Sequence, residues 1–189
     1  IADIEQRASG KPCHPDDVVV FPGATNALYS VLCSLLDPGD DIVVVEPTYV
    51  GYEGLVRALD LNRVTVPLDV ANAFAFDAGV LMAAVTPRTR VVLLNTPGNP
   101  AGNLIPEADL CRLAGFCLQR DIWLVCDEVY SMITFEERHV SLRRAAEKLD
   151  NVVVVDGLSK SHAMTGWRLG WTVSSRAFSD QLLAFTSST

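Results

Sequence analysis

Seven short runs of mostly branched apolar residues, separated by stretches with helical spacing, constrain this chain more than any single residue does. The runs are Val18–Phe21, Ile42–Val45, Val64–Val66, Val91–Leu94, Ile122–Cys126, Val152–Val155 and Leu169–Val173. Each is flanked by turn residues and largely apolar, the pattern of strands buried on both faces. Over Thr25–Leu36, the residues Ala27, Leu28, Val31, Leu32, Leu35 and Leu36 recur at helical spacing, and Asp37-Pro38-Gly39-Asp40 stops that helix. A second helix is predicted from near Pro106, with Glu107 in its first turn, to about Arg120. Gly51–Leu59 and Asp77–Val85 are weaker helical candidates.

Strands alternating with helices predict an α/β three-layer sandwich, with a mostly parallel seven-stranded sheet between two helical layers. From Asp156 to Arg168 there is too little chain for a helical crossover, so the last strand is expected to run antiparallel to its neighbour. With 189 residues, 49% hydrophobic and 20% charged, the chain can bury one substantial core and is not of disordered composition.

The net charge of −8 repels phosphate backbones and argues against nucleic-acid binding. No basic run suggests a membrane surface, and no apolar run approaches the length needed to span a bilayer. The five cysteines (Cys13, Cys33, Cys111, Cys117 and Cys126) are odd in number and lack Cys-x-x-Cys spacing. They read as free thiols of a reducing compartment, so a cytoplasmic location is expected and a metal site is not. The chain opens inside a helical pattern without an initiator methionine, and Thr186-Ser187-Ser188-Thr189 follows an apolar helix-like stretch. It therefore reads as a piece of a longer protein.

In a parallel sheet, ligands gather beyond the carboxyl ends of the strands. Gly23-Ala24-Thr25, Tyr49, Asn99, Asp127 and Lys160 each follow a strand in this sequence. Gly23-Ala24-Thr25 opens a helix, where free N–H groups favour an anion; the plain alternative is a strand–helix turn with Thr25 as N-cap. It is not the Gly-x-Gly-x-x-Gly fingerprint of nicotinamide binding. Asp127, at the end of an apolar strand, needs a partner such as a protonated ring nitrogen. The alternatives are a helix cap for Asp127, a solvated Glu128 and a core Tyr130. Lys160 is a candidate desolvated amine, or else a loop lysine reaching solvent. Arg168 suits a bidentate phosphate contact, or else an ion pair. In Asn95-Thr96-Pro97-Gly98-Asn99-Pro100, a stiff loop can present a side-chain amide to a ligand oxygen, or serve only as a tight turn.

Taken in order, Gly23-Ala24-Thr25, Pro47-x-Tyr49, Asn95-Thr96-Pro97-Gly98-Asn99-Pro100, Asp127-Glu128-Val129-Tyr130, Ser159-Lys160 and Gly166-Trp167-Arg168-Leu169-Gly170 resemble the class I/II aminotransferases of pyridoxal-phosphate (PLP) fold type I. The resemblance covers nearly the whole chain, residues 1–189, as the PLP-binding large domain. The context Ser161-His162-Ala163-Met164-Thr165-Gly166-Trp167-Arg168 is similar to the branch with bacterial aspartate aminotransferases and arginine–pyruvate transaminases.

The resemblance implies that Lys160 holds PLP as a Schiff base and shuttles the substrate α-proton, and that Asp127 pairs with the pyridine nitrogen. Tyr130 and Asn99 are implied to bond the phenolic oxygen, and Tyr49 to stack on the ring. Gly23, Ala24, Thr25, Ser159 and Arg168 are implied to grip the phosphate. Gly157 departs from the family, many of whose members carry a phosphate-binding hydroxyl there. The small-domain arginine for the substrate carboxylate and the N-terminal tyrosine that reaches across a dimer are expected outside this stretch. The implied activity is transamination between amino acids and 2-oxo acids by a homodimer. A PLP lyase or decarboxylase, and a PLP-sensing domain of a transcription regulator, share the same cofactor residues.

Overall fold

The branched apolar runs form the strands of a single sheet. The computed structural model describes residues 1–187. Its strands are β1 (Val18–Phe21), β2 (Asp41–Glu46), β3 (Asn62–Pro67), β4 (Thr89–Asn95), β5 (Trp123–Asp127), β6 (Val152–Gly157) and β7 (Gly170–Val173). The helices are α1 (Ala2–Ser9), α2 (Ala24–Leu35), α3 (Gly51–Ala58), α4 (Ala78–Ala84), α5 (Glu107–Gln119), α6 (Leu142–Ala145), α7 (Leu158–Ser161) and α8 (Arg176–Ser187). Of the predicted terminal segment, Ser188 and Thr189 lie outside the described residues.

The strand order is β1-β7-β6-β5-β4-β2-β3. β7 runs antiparallel to both β6 and β1, and the remaining pairs are parallel. The expected α/β sandwich with one antiparallel strand is therefore the fold. Its reversed strand follows from chain length: the one-turn helix α7 sits where a parallel crossover would need a dozen or more residues.

Alternation along the central strands divides the core in two. Val43, Val45, Val92 and Leu94 face Leu81 of α4 and Leu110 and Leu113 of α5. Ile42, Val44, Val91 and Leu93 face the opposite layer, with Leu28 and Leu32 of α2, Leu55 of α3, and Phe178 and Leu182 of α8. Full burial of one such aliphatic side chain contributes about 1.5–3 kcal/mol, so both helical layers are held mainly by these contacts.

Burial on both faces fails at the sheet's edges. On β1, Val19 and Phe21 are buried while Val20 is 54% exposed, and only Val66 of β3 is buried. Each outer strand has a single neighbour, and the helical layers do not cover both of its faces. Helix starts also differ by one or two residues from the expectation. Pro106 caps α5, which begins at Glu107, and Gly23 rather than Thr25 is the N-cap of α2.

Two glycines bring α2 against the sheet. Gly23 has φ 99°, a conformation that favours glycine, and a Cβ there would lie 2.3 Å from the Arg168 guanidinium. A Cβ on Gly170 would lie 2.3 Å from the Ala24 amide nitrogen. The first turn of α2 thus rests directly on the start of β7.

Candidate active site

A cavity of about 240 Å³ lies beyond the carboxyl ends of the parallel strands. Of the ten residues singled out in the sequence, nine line it: Ala24, Thr25, Tyr49, Asn99, Asp127, Tyr130, Ser159, Lys160 and Arg168. Gly23 does not; it supports the cavity from behind, as the N-cap packed against Arg168.

Asp127 ends β5 at the cavity floor and is 8% exposed. Its Oδ2 accepts a 2.7 Å hydrogen bond from Tyr52 Oη, and its Oδ1 accepts one of 3.2 Å from the Val129 N–H. Burial raises the Asp127 carboxyl above its ordinary range, and the two hydrogen bonds act in the opposite direction. Burial, and then the Asp127 charge, push the Tyr52 hydroxyl well above its usual value, so Tyr52 stays a donor. The floor is an acid with two donors but without a cation in direct contact among the described residues, which suits a cationic N–H in the cavity.

Glu128 is not solvated. It is 3% exposed, and its carboxylate accepts from the Leu142 N–H at 2.7 Å and meets His139 Nε2 at 3.0 Å. It turns away from the cavity to fix the start of α6, while its neighbour Asp127 faces in. Tyr130 is half-buried and receives a 3.3 Å hydrogen bond from Asn99 Nδ2, so these two side chains form one polar wall.

At the opposite end stands α2. The first intrahelical bonds run from the Asn26 and Ala27 N–H groups to the Gly23 carbonyl at 3.1 Å, which leaves the Ala24 and Thr25 amides ahead of the helical ladder. Arg168 lies beside them, with φ 50°, two residues before β7. Its Nη1 donates to the Thr165 carbonyl at 3.2 Å, and no carboxylate pairs with it among the described residues. Two open amides, the helix dipole and a guanidinium make an anion site. A hydroxyl-bearing side chain has no room at Gly157, where a Cβ would lie 2.8 Å from the Leu169 carbonyl oxygen.

Lys160, on α7, is exposed rather than desolvated; its Nζ lies 5.7 Å from the Tyr130 ring centroid, over the cavity. Tyr49 stands edge-on to Tyr52, with ring centroids 5.5 Å apart and planes at 87°. Sequence reasoning passed over Tyr52 and gave Asn95 no role of its own. Tyr52 lies in the first turn of α3, three residues after Tyr49, and that proximity to a chosen residue was the available signal.

Beneath the floor, burial pushes the Asp156 carboxyl up to about 8, opposed by a 2.6 Å hydrogen bond from the Gly157 N–H. A carboxyl whose folded value exceeds its unfolded value of about 4 binds its proton more tightly when folded. The associated stability is complete below about pH 4 and is lost as pH rises to about 8, at most about 1.4 kcal/mol per pH unit. Asp156→Asn, neutral throughout, is expected to melt above the wild type at pH 8, by a margin that narrows towards pH 5. Thermal unfolding at both pH values checks this; a margin that does not change with pH counts against it.

Comparison with known proteins places this geometry. The family described as aminotransferase class I and II matches residues 1–189. The chain is 44% identical over 173 residues to the arginine–pyruvate transaminase of Pseudomonas aeruginosa, covering 92% of this chain and 44% of that protein. It is 33% identical over 177 residues to the aspartate aminotransferase of Bacillus subtilis, covering 93% and 45%. The solved structure of Thermotoga maritima aspartate aminotransferase superposes with a TM-score of 0.94 at 30% identity, over all of this chain and 50% of that one. The chain thus spans about half the length of the relatives it matches. A sheet with one reversed strand, a cavity at its carboxyl edge and a match along every residue lead to one conclusion: this chain belongs to the class I and II aminotransferase family.

Proposed function

We propose that this chain is the cofactor-binding large domain of a PLP-dependent aminotransferase that moves an amino group from an amino acid to a 2-oxo acid. The family is PLP-dependent, and the residues present fit that cofactor. The observation that carries the reading is the polarity of the cavity. An anion site at the start of α2 and a buried carboxylate at the end of β5 line one space, with a primary amine between β6 and β7. A phosphorylated, cationic ring with an aldehyde matches that order of charges.

In this reading the Ala24 and Thr25 amides, Ser159 and Arg168 bind the phosphate, which carries close to two negative charges. Asp127 holds the proton on the ring nitrogen, oriented by Tyr52. Tyr130 and Asn99 donate to the phenolic oxygen, and Tyr49 covers one ring face. Bound PLP supplies an electron sink for the pair left when the substrate Cα–H bond breaks. Lys160 Nζ would anchor the cofactor covalently until the substrate amine displaces it; the freed amine would then take the Cα proton and deliver it to the carbon that had been the aldehyde.

The relatives suggest arginine or aspartate as amino donor, with pyruvate among the acceptors. A homodimer and a cytoplasmic location belong to the same proposal. Trp167 and Val50 are 75% and 81% exposed, and all five cysteines are unpaired. No described helix is long and apolar enough to cross a membrane.

The test is the intact protein with PLP, offered arginine or aspartate together with pyruvate or 2-oxoglutarate. Stoichiometric amino transfer to the oxo acid is expected. Release of ammonia or carbon dioxide instead, or binding of PLP without turnover, would replace the proposal with a lyase, a decarboxylase or a sensing domain.

A further inference from the structure

Asn95, the last residue of β4, is 5% exposed and lines the cavity. Both ends of its amide are engaged. Nδ2 donates to the Asp127 carbonyl oxygen at 3.0 Å, across the register pair Asn95↔Asp127. Oδ1 accepts the Asn99 N–H at 2.8 Å. Asn99 in turn gives its side-chain Nδ2 to Tyr130 at 3.3 Å. The loop is also held by the Thr96 N–H, which donates to the same Asp127 carbonyl at 3.2 Å, and at its far side by the Gly98 N–H to the Asn103 carbonyl at 2.9 Å and the Ile105 N–H to Thr96 Oγ1 at 3.1 Å. One buried amide therefore links the strand end that presents the floor carboxylate to the loop residue that presents the Asn99 amide.

We infer that Asn95 is a positioning residue, which holds the Asn99 amide at its place in the polar wall and locks that place to Asp127. This rests on the cofactor placement proposed above. An amide has the donor and the acceptor the bridge requires; a carboxylate lacks the donor, and an aliphatic side chain lacks both. Left unbraced, the Asn99 side chain would lose the fixed geometry that makes a donor effective against a developing charge.

The phenolic oxygen reports on this wall. Donors to it withdraw charge that would otherwise hold a proton on the lysine-bound nitrogen, so their loss raises the pH at which the bound cofactor changes its visible absorption. Asn99→Ala in the PLP-loaded intact protein is expected to raise that midpoint by about one pH unit, a tenfold change in proton affinity. Asn95→Ala is expected to move it in the same direction. The double variant should move it no further than the larger single change, because the two act through one contact. Asn95→Ser, which keeps a polar group too short to span both partners, serves if the alanine variant does not fold.

A shift for Asn99→Ala with none for either Asn95 variant, even when the apo-protein melts earlier, would reduce Asn95 to a structural role and overturn the inference. No shift for Asn99→Ala would instead overturn the cofactor placement on which it depends.

Discussion

Replacing Lys160 with alanine is expected to remove the visible band of lysine-bound cofactor and to lower turnover by roughly 10³-fold or more, because one side chain supplies both the covalent anchor and the proton carrier. The sequence contains three lysines, Lys11, Lys148 and Lys160, and of these only Lys160 lines the cavity. Lys11 is spent on the Ala146 carbonyl. The Lys160→Arg variant separates charge from chemistry. A guanidinium keeps the positive charge but stays protonated, so it neither attacks an aldehyde nor accepts a proton near neutral pH. Both variants should fold, since Lys160 is exposed on a one-turn helix and takes no part in the core. The measurement is the absorption spectrum of the PLP-loaded intact protein beside single-turnover kinetics. An unaltered visible band in Lys160→Ala removes the central assignment.

The second large effect belongs to Asp127. Asp127→Asn keeps the size of the side chain and an oxygen for Tyr52, but loses the charge. Turnover is expected to fall by about 10²–10³-fold, and PLP to dissociate more readily, because the oriented counter-charge for the ring nitrogen is gone. Apo-protein stability should move the other way. Burial raises the Asp127 carboxyl, so its ionisation opposes folding as pH climbs above the unfolded value of about 4. At pH 7.5 the apo form of Asp127→Asn is therefore expected to melt at or above the apo wild type, whereas saturating PLP should stabilise the wild type more. Calorimetry of the four states gives the comparison. Turnover close to wild type, or equal stabilisation of both proteins by PLP, would count against a charge partner at this position.

The contrast between Asp127 and Glu128 shows where local reading stops. The two acids are adjacent at the end of the same apolar strand, and nothing in their spacing says which faces the cavity. The pleat sends successive side chains to opposite sides, and the Leu142 amide and His139 claim Glu128. Tyr52 is a similar case. Helical periodicity places it on the buried side of α3, but its hydroxyl meets a carboxylate 75 residues further along the chain. Lys160 departs from expectation in the other direction. Flanking apolar strands made it a candidate desolvated amine, yet α7 carries it to the open rim of the cavity.

What the sequence determined by itself was the seven strands, the longer helices between them, the sandwich they form and the reversed final strand. Side-chain periodicity is a property of neighbouring residues, and the short stretch before β7 leaves no room for a crossover. The ordered motifs also placed nine of the ten chosen residues around one cavity, because parallel strands deliver their carboxyl ends to a common edge. Tertiary structure alone decided that the outer strands keep a wet face, that Tyr52 and Asn95 brace Asp127, and that burial drives Asp156 up to about 8. Those outcomes depend on what packs against each group from distant parts of the chain, and on the solvation each group loses there, neither of which is encoded in spacing along the chain.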